Sequence, residues 1–258
     1  MKNTIGLLKK TAIFAVIILA WYFAAQSGVW SPYVLPSPTT VAKTLLSMLS
    51  SGELADALLV SLWRILIGFT IACFIAFALV LVAALIPRLV PYYSYLISML
   101  RHIPPISLIP LLILWFGIGE APKIILIVLA SMFPILLNTE NAIFGCDKGL
   151  IDVGRSLGFS RLRIFFRIRL PNALPNILVG MRVGFGYAWR AIVAAEMIAA
   201  ATGLGTLVLD AQKLSRTDKV IAGVIVIGIA GLVIDRLFAL VERRFTRNRE
   251  KVEVDARL

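Results

Sequence analysis

The sequence predicts an all-α protein that crosses a membrane about six times. Two observations carry this. First, 60% of the 258 residues are hydrophobic and only 16% are charged, whereas a soluble domain carries roughly 25% charged residues. Second, the apolar residues gather into long runs, such as residues 11–25, 65–86 and 124–137. About 20 apolar residues span a bilayer as a helix, and backbone in lipid must satisfy its hydrogen bonds within helices or a closed barrel. The runs are continuous rather than alternating, which selects helices over a barrel.

Taken in order, the spans are expected at about residues 11–29, 58–86, 95–118, 122–142, 176–200 and 220–241. The first comes after Lys2, Lys9 and Lys10 and ends near Ala24 and Ala25. That resembles a signal peptide, but no clean A-x-A site lies beyond it. Cleaved or not, the next residues lie outside. The third is interrupted by His102, Pro104, Pro105 and Pro110. Proline removes a backbone donor and kinks a helix, and a broken helix in lipid needs protein or a water-filled cavity to cover it. Two readings stand: a kink at a tight helix crossing, or a helix lining a pathway through Pro104 and Pro105. No internal repeat, low-complexity segment or soluble domain is evident, so residues 1–258 read as one membrane domain.

The formal net charge is +12, and its distribution orients the chain. The loop between the fourth and fifth spans holds Lys148, Arg155, Arg161, Arg163, Arg167 and Arg169. The C-terminal tail holds Arg243, Arg244, Arg247, Arg249, Lys251 and Arg257. Basic residues accumulate on the cytoplasmic side, so this loop and both termini are expected there. The Pro-rich stretch 31–40 and the loop 202–218 then lie outside, the latter with Lys213, Arg216 and Lys219 against the trend and Asp210 and Asp218 partly offsetting them. No aromatic stripe interleaves with the basic residues, which argues against nucleic acid. Cys73 and Cys146 have no metal-ligand spacing, and a single His102 makes a His-rich metal site or a polytopic enzyme's catalytic cluster a poor reading.

The most informative polar segment runs through the cytoplasmic loop of about residues 143–175. Residues 152–157 suit a short helix; Gly158 breaks it and Ser160 caps a second helical piece. Leu162, Phe165, Phe166 and Ile168 give that second piece an apolar side between arginines, and Pro171 and Pro175 lead into the fifth span. The outcome is a helix–turn–helix bracket joined to a membrane helix. Such a bracket suits a partner's groove; it equally suits an amphipathic helix lying on lipid headgroups. The residues alone leave both open.

The pattern of this loop resembles the EAA loop of binding-protein-dependent ATP-binding-cassette importer permeases. That motif reads E-A-A, three residues, Gly, about nine residues, then I-x-L-P. Gly158 matches the glycine, and Ile168, Leu170 and Pro171 match the I-x-L-P. Asp152, Val153 and Gly154 stand in the E-A-A positions, a departure that keeps the acid one methylene shorter and replaces two alanines. Ser156 and Leu157 complete the stretch before the glycine. Further likeness lies in Leu35-Pro36-Ser37-Pro38, in Ser61-Leu62 with Arg64, and in the run from Leu114 to Glu120. It extends to Ala195-Glu196-Met197-Ile198 and Gly203-Leu204-Gly205. Together these look like the subfamily that imports nitrate, sulfonates, taurine, bicarbonate or related small molecules.

The resemblance implies a type I importer permease fold and a set of partners: two ATPase subunits, a second permease copy and an extracytoplasmic solute-binding protein. It also implies alternating access driven by ATP. This chain has no G-x-x-x-x-G-K-[ST] phosphate loop, so it is expected to hold no cofactor itself and to catalyse nothing. ATP and Mg belong to the ATPase partner.

Charges inside spans are costly and mark candidate sites. Arg64 and Glu196 are placed to pair across the second and fifth spans, as a helix lock or near an outer gate. Arg190, beside Trp189, is the candidate for attracting an anion, because a guanidinium suits oxyanions; a backbone carbonyl or snorkelling is its alternative. Arg182 and Asp235 read as a structural pair. Glu120 and Lys123 read as solvated residues at an external turn, and Trp115, Tyr187 and Trp189 as packing, interfacial or pathway aromatics. The rival function is an ion-coupled secondary transporter, for which internal repeats and buried midplane acids are the usual signs.

Overall fold

A computed structural model describes the backbone of residues 2–255 and the side chains of residues 12–198 and 200–244. The side chains of Lys2, Lys9, Lys10, Arg247, Arg249, Lys251 and Arg257, which contribute to the orientation argument, lie outside the described residues. The described chain is helical and contains no strand.

The first helices are α1 (Lys2–Gln26), α2 (Pro38–Ser50) and α3 (Glu53–Leu85). The short α2 begins at the end of the Pro-rich stretch and lies between the first two expected spans. Its signals are Pro38 in the first turn and Ser37, whose hydroxyl accepts from the Thr40 N–H. Next come α4 (Val90–Leu100) and α5 (Ile109–Phe116), then α6 (Glu120–Phe144), α7 (Lys148–Ser156) and α8 (Arg161–Ile164). A π-helical turn at Phe165–Arg169 joins α8 to α9 (Leu170–Ala199). Last are α10 (Leu204–Lys213), inside the stretch read as an outer loop, and α11 (Thr217–Asp255).

Among the described residues, four helices are long and apolar enough to cross a membrane: α3, α6, the continuous run Arg161–Ile198, and Thr217–Arg244. The expected third span is corrected in form. Its two halves, Pro87–Leu100 and Pro105–Phe116, meet at 84°, so it is a broken span or a re-entrant loop rather than one kinked helix. Pro104 stands extended at the break, while Pro105 and Pro110 each start a new helical piece. A missing N–H costs nothing at a first turn, which is why these prolines begin helices as well as end them. The described part of α1, Ala12–Gln26, is apolar but shorter than a full crossing.

The core is built on α6, which packs along α3 on one side and α9 on the other. Small residues let the backbones approach. Gly68 of α3 sits against Ile127, and Gly180 and Gly184 of α9 sit against Asn138 and Ile135. Aromatic edges close the rest: Phe185 of α9 lies 5.2 Å, centroid to centroid, from both Phe69 of α3 and Phe238 of α11. One end of this bundle carries α7 and α8; the other carries α2 and α10.

Candidate functional site

At the α7 end, the sequence dictates the bracket residue by residue. Asp147 caps α7 by accepting from the Gly149 N–H. Gly158 ends it with a φ of +73°, a conformation that favours glycine. Ser160 then accepts from the Arg163 N–H and starts α8. Pro171 sits in the first turn of α9. A proline ring crowds the carbonyl four residues back, here Arg167 within the wider π turn, so the helix passes the proline without breaking. Helix therefore runs through the second half of the loop and into the expected fifth span: α8, the π turn and α9 form one continuous rod, with Pro175 inside it.

The short helix α7 has two faces. Ile151 and Gly154 are buried, and with Cys146 and Ile164 they form a small core that Phe159 and Ile168 complete. At Gly154 a β-carbon would fall on the δ-methyl of Ile168. That contact accounts for glycine where the family pattern has alanine: isoleucine fills the space. The opposite face leaves Leu150, Val153 and Leu157 exposed. Asp152 is also exposed and pairs with Arg155 at 2.9 Å, while Ser156 donates to the Asp152 carbonyl. Leu170 is half-buried and Pro171 exposed.

At the opposite end lies a buried cluster of charge. The Glu196 carboxylate is fully buried (0% exposed). Ser61 Oγ lies 2.8 and 2.9 Å from its two oxygens and donates to them. Arg64 Nη1 donates to it at 2.8 Å and the Gly205 N–H at 3.0 Å. Arg64 also grips Glu120 through Nε and Nη2, at 2.6 and 2.8 Å, and donates to the Thr202 carbonyl. Lys123 Nζ completes the set at 2.7 Å from Glu120. Two cations and two anions thus balance, and each buried charge is paired.

This corrects the sequence reading of Lys123 as solvated, while Glu120 is exposed as expected and is at the same time tied to Arg64. Lys123 is buried, and only Glu120 keeps an open side, at 56% exposed. The stem of Lys123 packs inside α6 because its ammonium reaches a carboxylate one helical turn back. Ser61 stands out in sequence only as part of a likeness. Its position three residues before Arg64 on one helix face is the available signal. Nothing local in the sequence points to Thr202, whose carbonyl meets Arg64 only through the fold.

Arg190 and Trp189 separate. Trp189 is buried, with its indole nitrogen against Gly231 of α11, so within this chain it packs between helices. Arg190 is exposed; its Nε donates to the Gly186 carbonyl at 3.1 Å, and its guanidinium lies 4.9 Å from the Tyr187 ring centroid. The carbonyl bond and the cation–π contact hold the exposed guanidinium in place and, among the described residues, leave its other donors open. Trp115 and Tyr187 are exposed. Arg182 and Asp235 form a two-bond pair at 2.7 Å, with Glu242 at 3.3 Å. Among the described residues no group of His, Cys, Asp and Glu could hold a metal ion.

Residues 88–247 match the family described as the binding-protein-dependent transport system inner membrane component. The chain belongs to this family. The permease is 37% identical, over 96% of its length and 90% of the relative's, to the putative aliphatic sulfonates transport permease protein of Bacillus subtilis (strain 168). It is 35% identical, over 90% of its length and 86% of the relative's, to the taurine transport system permease protein of Escherichia coli (strain K12). It is 29% identical, over 91% and 88%, to the nitrate import permease protein of Synechocystis sp. (strain ATCC 27184 / PCC 6803 / Kazusa). Its fold resembles that of the MetNI methionine ABC transporter in an inward-facing conformation, at a TM-score of 0.62 and 20% identity over 73% of the permease and 96% of that chain. An amino acid ABC transporter crystallised with histidines gives 0.63 at 19% identity over 79% and 98%.

The permease is therefore a multi-pass inner-membrane protein of the importer class, a transport subunit by family. Membership of a binding-protein-dependent family implies an ATPase and a substrate-binding protein as partners. The α7 bracket and most of the Glu196 cluster fall inside the matched residues; Ser61 and Arg64 precede them.

Proposed function

We propose that this permease forms the translocation pathway of an ATP-binding-cassette importer for a small anionic solute, such as a sulfonate, taurine or nitrate. The substrate class rests on the activities named for the relatives above. The exposed apolar face of α7 (Leu150, Val153, Leu157) enters a groove on an ATPase subunit. Two such ATPases bind ATP and Mg and serve two copies of this chain, and a solute-binding protein docks at the other end. Both termini and the α7 loop face the cytoplasm by the charge of the loops.

The observation that carries this reading is the unbroken rod from α8 through the π turn into α9. A push on α7 passes through Ile151, Gly154 and Ile164 into a helix that reaches Glu196. ATP moves the pathway only by binding one state better than the other, and a stiff lever gives that preference a route. The pull-down of this chain from its native membrane in mild detergent, with ATPase assay, tests the reading. An ATPase at equal stoichiometry is expected. A stable lone chain without ATPase would return the ion-coupled secondary transporter to first place.

A further inference from the structure

Two cavities adjoin where α3 leaves the bundle core. The first, about 480 Å³, lies between α3 and the start of α9. Every side chain lining it is aliphatic or aromatic, among them Phe74, Phe77, Leu81, Phe166 and Leu174. The second, about 440 Å³, lies just beyond, between the end of α3 and α7. Arg155, Arg161 and Arg169 line it, together with Phe144, Phe159 and Pro87. Phe165 is a wall of both. Along α3 the lining passes from Phe74 to Ala84, about 15 Å of helix, which is the reach of a fatty-acyl chain.

The arginines of the second cavity are under-used. Asp152 pairs with Arg155. Among the described residues no carboxylate pairs with Arg161 or Arg169. Among the described residues Arg161 donates to the Leu85 carbonyl alone. Arg169 lies against the Phe144 ring, and its Nε is buried with no hydrogen-bond partner. A buried guanidinium nitrogen without an acceptor is costly, which makes any acceptor that meets the rest of the Arg169 guanidinium in this cavity more favourable.

We infer that an anionic phospholipid of the cytoplasmic leaflet occupies this pair of cavities, its phosphate on Arg161 and Arg169 and one acyl chain beside Phe74, Phe77 and Phe166. The charge is complementary: a planar guanidinium binds phosphate through forked hydrogen bonds, and basic pockets between spans on the cytoplasmic side hold anionic headgroups. The arginines stand where α3 ends at Leu85, the level of the headgroups under the orientation proposed above, on which this inference rests. The apolar cavity stands at the level of the chains. A soluble oxyanion would fill only the basic half. The lipid would wedge against the inner face of α7 and the π turn, so it would stiffen the same lever that meets the ATPase.

Native mass spectrometry of the full complex tests this, after detergent exchange and titration with phosphatidylglycerol or phosphatidylcholine of matched chains. Retention of about one phosphatidylglycerol per permease, on the order of tenfold over phosphatidylcholine, is expected. The double variant Arg161→Gln/Arg169→Gln should lose that preference, and Leu81→Trp, which fills the apolar half, should lose retention of both lipids. Equal retention of the two lipids by the unaltered complex overturns the inference without any variant. Displacement of the lipid by millimolar inorganic phosphate would mean a free-anion site and overturn the lipid source. Loss of the ATPase from the double variant with lipid retention unchanged would assign the arginines to a protein contact instead. Absence of any ATPase from the unaltered preparation would count against the importer reading, whereas lipid selectivity is read separately on the permease.

Discussion

Gly203 lies directly against the carboxylate of Glu196, so closely that any β-carbon would overlap it. Its φ of +127° also belongs to the region that side chains avoid. The loop between α9 and α10 is thus folded onto a buried anion, and the neighbouring Gly205 N–H and Thr202 carbonyl hold the anion and its arginine. Gly203→Ala should therefore lower thermal stability of the purified complex by about 2 kcal/mol or more. Gly28→Ala, also at positive φ but with open space around it, should cost about 1 kcal/mol. Equal losses would mean that backbone strain, not the carboxylate, sets the requirement.

Arg64→Met should be more damaging still. It leaves Glu196 buried with one hydroxyl and one amide, and leaves Glu120 with Lys123 alone. Breaking one side of a buried pair costs about 3–5 kcal/mol. Restoring neutrality with Arg64→Met/Glu196→Gln should recover a good part of that loss. Denaturation followed by detergent-resistant fluorescence of a fusion would report it; additive losses in the double variant would sever the coupling.

At the other end, Gly158→Ala should cost about 1 kcal/mol, because the turn needs φ of +73° but leaves room for a side chain. Gly158→Asp adds a charge between α7 and α8. Insertion should survive and ATPase co-purification should fall. Normal uptake by that variant would remove the loop from coupling.

Gly154→Leu should weaken the same docking by a different route, driving α7 off Ile164 and Ile168, at a cost of about 1–3 kcal/mol. Gly154→Ala needs only the end of Ile168 to move and should keep most activity. If alanine and leucine behave alike in uptake, the inner face of α7 does not transmit force.

Arg190→Ala should leave assembly intact, since its contacts are an exposed carbonyl bond and the Tyr187 ring. Uptake of an anionic solute should fall several-fold, consistent with losing about 1 kcal/mol of attraction. Unchanged uptake would take Arg190 out of the pathway.

Much of this architecture was legible in the residues. Continuous apolar runs give helices because lipid offers the backbone no other partner. Gly158 and Ser160 mark a break and a cap because each meets a local requirement within four residues of chain. Arg64, Glu196, Arg182 and Asp235 stood out because a charge in a span needs a partner, and partners of opposite sign were available at matching depth.

What the chain alone left open was always a question of distance across the fold. Local pattern reads Lys123 as solvated, because sequence shows its place on a helix end and not that Glu120 is turned to meet Arg64. Trp189 reads as a packing aromatic before a pathway one, but only the fold shows that α11 brings Gly231 against it. The prolines at 104, 105 and 110 predict an interruption, but the 84° bend depends on what packs around the break. Periodicity and caps act within a few residues and are written in order along the chain. Burial, ion pairing and the use of Gly154 depend on contacts between residues far apart in the chain, 138 positions for Arg64 and Thr202 and 166 for Glu53 and Lys219, and only the packed helices decide those.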